Sequence, residues 1–225
     1  MKKLLLSWSS GKDSAWALHL LRQQNLQVSA LLTTVNEEAG RVAMHGVRRS
    51  LLELQAESLA LPLWQVPLPW PCSNEEYEAR MAAVCTRAVS EGFATIAFGD
   101  LYLQDIRAYR ERQLTGTGLS PVFPLWDLPT PILARDMIAS GLRARLTCID
   151  TRILPPTFAG REFDRALLSD LPASVDPCGE NGEFHTFVYA GPMFSKPIPV
   201  QTGELHSADP FLYTDLLSPA APCAL

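Results

Sequence analysis

The chain has 225 residues, of which 47% are hydrophobic and 19% are charged, and its formal net charge is −5. This composition supplies a core for one large domain, or for a main domain with a smaller lobe, and it excludes a disordered chain. A non-specific nucleic-acid binder would carry a basic excess, so we expect no nucleic-acid partner.

The first half of the chain alternates apolar runs with amphipathic segments. Its apolar runs predict strands at 3–8, 28–34, 63–67, 94–99 and 120–125. Its amphipathic segments predict helices at 13–24, 46–60, 73–91 and 103–116. Ser73, followed three residues later by Glu76, forms a capping box at the start of the third helix. This alternation predicts an α/β fold with a parallel sheet that is covered by helices on both faces.

After about residue 140 the chain becomes rich in proline and glycine. A strand is predicted at 143–150, a short helix at 162–171 and a strand-like run at 184–189. The dipeptide Asn181-Gly182 predicts a hairpin or sharp bend before that run. We predict a main domain over 1–138 and a smaller α+β lobe over 139–225, ending in a loose tail.

Processing signals and disulfides are not expected. The apolar part of the opening MKKLLLSW is too short for a signal peptide, and no stretch has the length of a transmembrane helix. The cysteines are odd in number, widely spaced and without a CxxC pair, which favours reduced thiols over disulfides or a structural zinc site. They are Cys72, Cys85, Cys148, Cys178 and Cys223. We expect a cytoplasmic protein without a membrane partner.

The segment SSGKDS, residues 9–14, follows the first strand and opens the first helix. It is not a Walker A loop, because Leu6 stands where the first glycine is needed and Asp13 follows Lys12. Its backbone N–H groups and the helix terminus can still bind an anion, and Lys12 adds a full charge. Asp100 follows the fourth strand and is expected to face the same crevice. A plain turn with a Ser or Asp cap is the alternative interpretation.

The same segment resembles the SGGKDS loop of the PP-loop ATP pyrophosphatases, which cleave ATP between its α and β phosphates. The positions that carry the resemblance are Ser9, Gly11, Lys12, Asp13 and Ser14. Ser10 replaces the usual middle glycine. Because serine does not enter positive φ freely, we expect this turn to use another backbone geometry.

A second segment, CGENGEFHTFV at 178–188, places Glu180 and Glu183 around a glycine-bearing turn. It resembles the GE-x-GE-(F/Y)-x-T-x-V signature of the diphthine–ammonia ligase family, a branch of the PP-loop enzymes. The stretches at 44–63, 98–114 and 118–126 are similar to that family as well. Without this resemblance, a surface hairpin with two solvated glutamates would be the simpler interpretation.

The resemblance implies an adenine nucleotide alpha hydrolase-like, Rossmann-like domain and a ligase that uses ATP and Mg²⁺. In that family ATP adenylates the carboxylate of diphthine, a modified histidine on translation elongation factor 2. Pyrophosphate leaves, and ammonia then forms the amide. A small-molecule carboxylate as acceptor, and a non-catalytic ATP or AMP sensor, remain alternatives. A homodimer is also possible.

The resemblance also implies roles for individual residues. The loop, with Lys12, would bind the β and γ phosphates. Asp13 or Asp100 would hold Mg²⁺, and Arg110 would neutralise the α-phosphate or the acyl-adenylate. His45 would border the nucleotide or make only a local hydrogen bond.

On the substrate side, Glu180 and Glu183 would bind a cationic group, receive ammonia or act as a base. The role of His185, in the same run, is left open. Cys178 is interpreted as a small buried side chain, because no partner base is evident. Trp64, Trp70 and Trp126 are interpreted as residues of the core or of a pocket wall.

Overall fold

The computed structural model describes residues 3–219, which form two sheets and the helices around them. The first part of the chain contains β1 (Lys3–Ser7), α1 (Lys12–Gln23), β2 (Val28–Asn36), β3 (Arg41–Val42), α2 (Arg49–Leu59), β4 (Leu63–Leu68), α3 (Asn74–Ser90), β5 (Phe93–Ala97), α4 (Gln104–Leu114), β6 (Ser120–Val122) and α5 (Thr130–Ala139). The second part contains β7 (Arg143–Asp150), α6 (Arg165–Asp170), β8 (Phe184–Ala190), β9 (Gln201–Ala208) and β10 (Phe211–Leu217).

Five strands of the first sheet are parallel, in the order β4–β2–β1–β5–β6, and β3 pairs antiparallel with the end of β2. This arrangement confirms the predicted α/β, Rossmann-like class. The chain adds strands on one side of β1 and then crosses to the other, so the strand order reverses between β1 and β5. Ligands bind at such a switch point, beyond the carboxyl ends of the strands. Residues 9–14 follow β1 and Asp100 follows β5, so both lie there.

Helix α3 begins where the sequence predicts. Ser73 Oγ accepts a hydrogen bond from the backbone N–H of Glu76 at 3.1 Å, which satisfies one free donor of the first turn. The Glu76 carboxylate instead pairs with Arg80 one turn on, at 2.8 Å. In the part of the chain that the structure describes, no helix combines the length and the apolar character that a bilayer crossing requires.

The second sheet is antiparallel, in the order β8–β7–β10–β9. Strand β7 matches its prediction, whereas β3, β9, β10 and α5 were not predicted. The side chains of β9 are almost all exposed, so its sequence lacks the alternation that reveals a half-buried strand. The predicted boundary after residue 138 falls at the end of α5, between the two sheets. Of the predicted loose tail, residues 220–225 lie outside the described residues.

One apolar core runs through both parts of the chain, and Gln55 of α2 lies fully buried within it. Gln55 Oε1 accepts from the indole N–H of Trp8 at 2.8 Å, and its Nε2 donates to the carbonyls of Ser10 at 3.0 Å and Val188 at 2.7 Å. The Val188 N–H also donates to the Ser10 carbonyl, at 3.0 Å. A buried amide with its partners in place therefore ties residues 9–14 to β8.

Asp215 of β10 joins the second sheet to the β3 region. Its carboxylate is 5% exposed and accepts hydrogen bonds from Arg41 Nη1 at 2.8 Å and Arg48 Nε at 3.0 Å. Burial opposes the charge of this carboxylate, but the hydrogen bonds from Arg48 and Arg41 outweigh burial and lower the pKa of Asp215 to about 2. The ion pair therefore stabilises the contact between β10 and the β3 region at neutral pH.

We expect Asp215→Asn to lower the free energy of unfolding by about 2 kcal/mol at pH 7, since each unit of pKa shift corresponds to about 1.4 kcal/mol. A carboxylate with a lowered pKa stabilises the fold above its unfolded pKa, 3.8, and loses that effect as the pH falls through about 2. The difference between wild type and variant should therefore shrink between pH 4 and pH 2, measured by urea unfolding.

Asp170→Asn is the matched control, because Asp170 is 56% exposed and pairs only with Arg161 among the described residues. Its effect should stay below about 0.5 kcal/mol. A loss in Asp215→Asn that is equally large at pH 2 and pH 7 would contradict the electrostatic explanation.

Candidate active site

A cavity of about 340 Å³ opens at the carboxyl ends of β1 and β5. Eight of the predicted site residues line it, which are Ser9, Lys12, Asp13, Ser14, His45, Asp100, Arg110 and Glu180. The other three, Ser10, Gly11 and Glu183, are not among the described lining residues. Leu32, Met81 and Phe98 add an apolar wall. The structure therefore brings both sequence motifs to one cavity with a polar and an apolar side.

The loop at 9–14 is held by its own serines. Ser14 Oγ donates to the Gly11 carbonyl at 3.0 Å and lies 3.2 Å from Ser9 Oγ, which in turn accepts from the Gly11 N–H at 3.4 Å. The loop ends at the N-terminus of α1, where Gly11 is the N-cap and supplies no side-chain hydrogen bond. A helix start of this kind can bind an anion, because its N–H groups point outward and its dipole is positive there.

The expectation that Ser10 avoids positive φ is wrong, because its φ is 70°. The Ser10 carbonyl accepts from Val188 N–H and from Gln55 Nε2, and these bonds fix the peptide in the left-handed region. They offset a cost of about 1–2 kcal/mol for a residue with a side chain. Ser10 Oγ is enclosed and has no hydrogen-bond partner within residues 3–219. Ser10 thus takes a backbone conformation that glycine adopts more readily.

Lys12 is buried, with 2% of its side chain exposed. Its Nζ donates to Asp13 Oδ2 at 2.8 Å and to the carbonyl of Cys178. The ammonium also lies over the rings of Phe163 and Phe184, 5.7 and 5.4 Å from their centroids. Burial lowers the pKa of Lys12, but the charge of Asp13 and its hydrogen bond, with Asp176 nearby, outweigh burial, so the net shift is upward and the side chain stays charged. This cation therefore joins the loop to the glutamate turn and is not mobile.

Two carboxylates in the cavity have oxygens that no described group satisfies. Asp13 Oδ1 and Asp100 Oδ2 are enclosed and lack a hydrogen-bond partner within residues 3–219. Arg110 Nε lies 3.6 Å from Asp100 Oδ2, too far for a hydrogen bond. Burial raises the pKa of both carboxyl groups, although Lys12 and Arg110 counteract it. Each group therefore has an unused oxygen for a cation.

The predicted Mg²⁺ ligands can be tested against this donor set. Within the described residues no group of three or more His, Cys, Asp and Glu side chains is arranged to hold a metal. Mg²⁺ does not require one, since it is often bound by one or two carboxylates and completes its shell with phosphate oxygens and water. Asp13 and Asp100 fit that pattern.

Glu180 connects the glutamate turn to the loop after β5. Its Oε1 accepts from the backbone N–H of Leu101 at 2.8 Å, and its own N–H donates to Asp176 Oδ2 at 3.0 Å. Burial raises the pKa of Glu180 to about 7, and the charges of Asp13 and Asp100 add to that shift. A carboxyl group with this pKa can give up or accept a proton near neutral pH.

Glu183 lies beneath the turn, with 2% of its surface exposed. Its Oε1 accepts from Asp176 N–H at 3.0 Å and its Oε2 accepts from Asn181 N–H at 3.0 Å. Gly179 and Gly182 take φ values of 68° and 86°, so the predicted sharp bend is confirmed. Glu183 therefore holds the turn that presents Glu180, and its direct role toward a substrate stays a prediction.

Cys178 at the start of the turn is 1% exposed, and burial raises the pKa of its thiol far above the ordinary value. This agrees with its interpretation as a buried side chain. Trp64 is a core residue at 7% exposure, and Trp126 packs edge-on against Phe123. Trp70, by contrast, is 69% exposed and lines a second, mostly apolar cavity of about 540 Å³.

Two protein-family models match this chain, and each covers one of the two parts that contribute to the cavity. A family model described as the diphthamide synthase N-terminal domain matches residues 1–121, and one described as the diphthamide synthase C-terminal domain matches residues 130–211. The chain belongs to the diphthamide synthase family. Similar proteins include the diphthine–ammonia ligases of Rattus norvegicus and Homo sapiens, 27% and 26% identical over 90% of this chain and 85% of their own. That of Schizosaccharomyces pombe is 25% identical over 94% of this chain and 38% of its own.

Both diphthamide synthase domains contribute to the cavity. The N-terminal domain contributes Asp100 and four residues of the loop, and the C-terminal domain contributes Glu180 and Thr186; the four loop residues are Ser9, Lys12, Asp13 and Ser14. Thr186 was not predicted as a site residue, yet its Oγ1 accepts from the Lys12 N–H at 3.1 Å. Thr186 is the threonine of the signature quoted above, which marks the residue, but the pattern does not give its partner, 174 positions away.

Gly99 follows β5, lines the cavity and was not predicted as a site residue. Because it has no side chain, the segment after β5 can approach the start of α1. A Cβ atom there would lie 3.0 Å from the backbone carbon of Asp13 and 3.0 Å from the backbone nitrogen of Ser14. That separation is tighter than an ordinary Cβ contact, and the obstacle is the Asp13–Ser14 peptide, which can move aside only with the backbone. The glycine therefore limits how closely the segment that carries Asp100 can approach the loop at 9–14.

We expect Gly99→Ala to displace the start of α1 and to lower the free energy of unfolding by about 1–2 kcal/mol, as overpacking does elsewhere. Gly203→Ala is the control, because a Cβ there meets its neighbours at an ordinary 3.4 Å. Urea unfolding of both variants measures the difference. Equal stabilities of the two variants would show that the loop tolerates the displacement.

Proposed function

We propose that the protein is an ATP-dependent ligase that adenylates a carboxylate, releases pyrophosphate and joins ammonia to the acyl group. The observation that carries the proposal is the meeting of the loop at 9–14 with Glu180 in one cavity. The names of its relatives as diphthine–ammonia ligases support the ligase class and the amide product.

The two sides of the cavity suit the two ends of ATP. The loop, with the N-terminus of α1 and Lys12, supplies N–H donors and a fixed cation for the β and γ phosphates. Leu32, Met81 and Phe98 supply apolar surface for the purine. Fixed donors at the pyrophosphate stabilise the charge that develops when the bond to the α phosphate breaks.

The remaining charged groups fit the same proposal. Asp13 and Asp100 would hold Mg²⁺, which neutralises phosphate oxygens when it is bound. Arg110, beside Asp100, would neutralise the α phosphate or the acyl-adenylate. Glu180, whose pKa is about 7, would accept the proton that the ammonia nitrogen loses as it becomes an amide.

For the acceptor we propose diphthine on translation elongation factor 2, following the names of the relatives. The partners are then ATP, Mg²⁺, ammonia and that factor, and the reaction would take place in the cytoplasm. The products are the amide, AMP and pyrophosphate.

The test is ATP–pyrophosphate exchange by the purified protein, with unmodified factor, with diphthine-bearing factor and with a panel of small carboxylic acids. We expect exchange that depends on the diphthine-bearing factor, followed by amide formation when ammonium chloride is added. Exchange with a small acid alone would contradict diphthine as the acceptor. Binding of ATP without exchange under any condition would contradict the ligase proposal itself.

A further inference from the structure

Two histidines meet inside the cavity, and the chemistry proposed above leaves them without a role. His45 lies between β3 and α2, and His185 lies on β8. Their ring centroids are 4.7 Å apart and their planes are tilted by 43°. Both residues line the cavity together with Lys12 and Glu180. One imidazole from each domain therefore lines the same cavity as Lys12 and Glu180.

Thr186 fixes the protonation state of His45. His45 Nδ1 lies 2.9 Å from the Thr186 carbonyl oxygen, which can only accept, so Nδ1 carries the proton. Nε2 of the neutral ring then holds a lone pair. Gly11 packs against this ring, since a Cβ atom on Gly11 would lie 2.6 Å from His45 Cε1. The lone pair is thus held beside the loop at 9–14.

His185 offers a second unused nitrogen. Its Nε2 is enclosed and has no hydrogen-bond partner in the described part of the chain. A buried polar atom that is left unpaired destabilises the fold, so such an atom in a cavity points to a missing ligand. Burial, together with the neighbouring His45 and Lys12, lowers the pKa of His185 to about 3.

Burial also lowers the pKa of His45 to about 4, although its hydrogen bond to Thr186 opposes the shift. Both rings are therefore neutral at pH 7. Neutral imidazoles offer no charge to a phosphate or a carboxylate, but they accept N–H bonds well. The ligand that suits them is small, uncharged and rich in N–H groups.

We propose that His45 and His185 form the binding site for ammonia, each accepting one N–H of NH₃ through a ring nitrogen. This inference rests on the proposed function, because it assigns one of its substrates. Ammonium would place a second cation beside Lys12, whereas neutral NH₃ does not. Two accepted N–H bonds hold the nitrogen with its lone pair free.

The step is balanced with the groups already present. The nitrogen lone pair forms the C–N bond to the acyl carbon while the C–O bond to AMP breaks. The nitrogen loses one proton, which the Glu180 carboxylate accepts. The products are the amide and AMP, and the histidines stay neutral throughout, so they position ammonia rather than transfer its proton.

The variant that tests this proposal is His185→Phe, which keeps a planar ring and removes its nitrogens. We expect ATP–pyrophosphate exchange, which precedes ammonia, to stay within about twofold of wild type. The KM for ammonium chloride in amide formation should rise at least about tenfold, the equivalent of one lost hydrogen bond. His19→Phe is the control, because His19 lies on α1 and is not among the described lining residues.

The outcomes separate this inference from the proposed function. An unchanged KM for ammonium in His185→Phe, with amide formation intact, overturns the ammonia site and leaves the ligase proposal standing. An equal loss of exchange and amide formation also overturns it, because the ring would then act on the acyl or phosphate group. A wild-type protein without exchange for any acceptor removes the proposed function and this inference with it.

Discussion

Lys12→Met should reduce ATP–pyrophosphate exchange by about 100- to 1,000-fold, the range seen when one fixed donor to a developing charge is removed. Methionine keeps the length and the apolar contacts of the buried stem, but it removes the cation between Asp13 and the Cys178 carbonyl. Asp13 would then lose its counter-charge, so its pKa should rise further and weaken any Mg²⁺ site. Exchange assays over a range of ATP and Mg²⁺ concentrations measure the effect.

Lys196→Met is the matched control. Lys196 is 63% exposed and pairs with Glu57 at 2.8 Å on the surface, so its loss should change exchange by less than about twofold. Circular dichroism of both variants shows whether the fold is intact. Exchange that survives Lys12→Met in a folded protein would exclude Lys12 from pyrophosphate binding.

Glu180→Gln should lower the rate of amide formation by about 100-fold, because general-base catalysis contributes a factor of that order. Exchange, which comes before the proton is lost, should fall much less. The wild-type rate of amide formation should rise as the pH passes through about 7, where Glu180 becomes ionised. The rate of the variant should be nearly independent of pH in that window. Rates at saturating ammonia between pH 5.5 and pH 8.5 provide the measurement.

Stability gives an independent check on the same carboxyl group. Its pKa is about 7 in the fold and 4.5 when unperturbed, so the native state binds more protons between those values. Glu180 should therefore contribute a decrease in the free energy of unfolding as the pH rises from 4.5 through 7, opposite in sign to the contributions of His45 and His185, and Glu180→Gln should remove its contribution. Glu204→Gln, at an exposed position on β9, should keep it. A pH profile of Glu180→Gln that coincides with the wild-type profile would refute the raised pKa.

The parallel sheet and the location of the cavity could be predicted because local patterns determine them. Buried strands such as β1 are near-continuous apolar runs, and the loops that follow parallel strands share one edge of the sheet. Residues 9–14 and Asp100 were placed together on that basis alone. Strand β9 was not predicted because nearly all of its side chains face solvent. Its sequence therefore shows neither the alternation of a half-buried strand nor the continuous apolar run of a buried one.

The finer geometry of the site depends on contacts between distant parts of the chain. Ser10 was expected to avoid positive φ because local preference disfavours it, but Gln55 and Val188 hold its carbonyl in place. Glu183 and Glu180 each follow a glycine in the same motif, yet the Glu183 carboxylate accepts hydrogen bonds from the backbone of the turn. Single-sequence patterns contain no information on such partners, so the roles of the two glutamates could not be distinguished.

The contact between the loop at 9–14 and β8 also determines when the protein can act during its own synthesis. Lys12 leaves the ribosome 174 residues before Thr186, its hydrogen-bond partner, and Ser10 likewise precedes its partner Val188. A nascent chain that has completed only its first sheet has the loop without the strand that holds it. A chain that ends before β8 therefore lacks the hydrogen-bond partners that hold this loop.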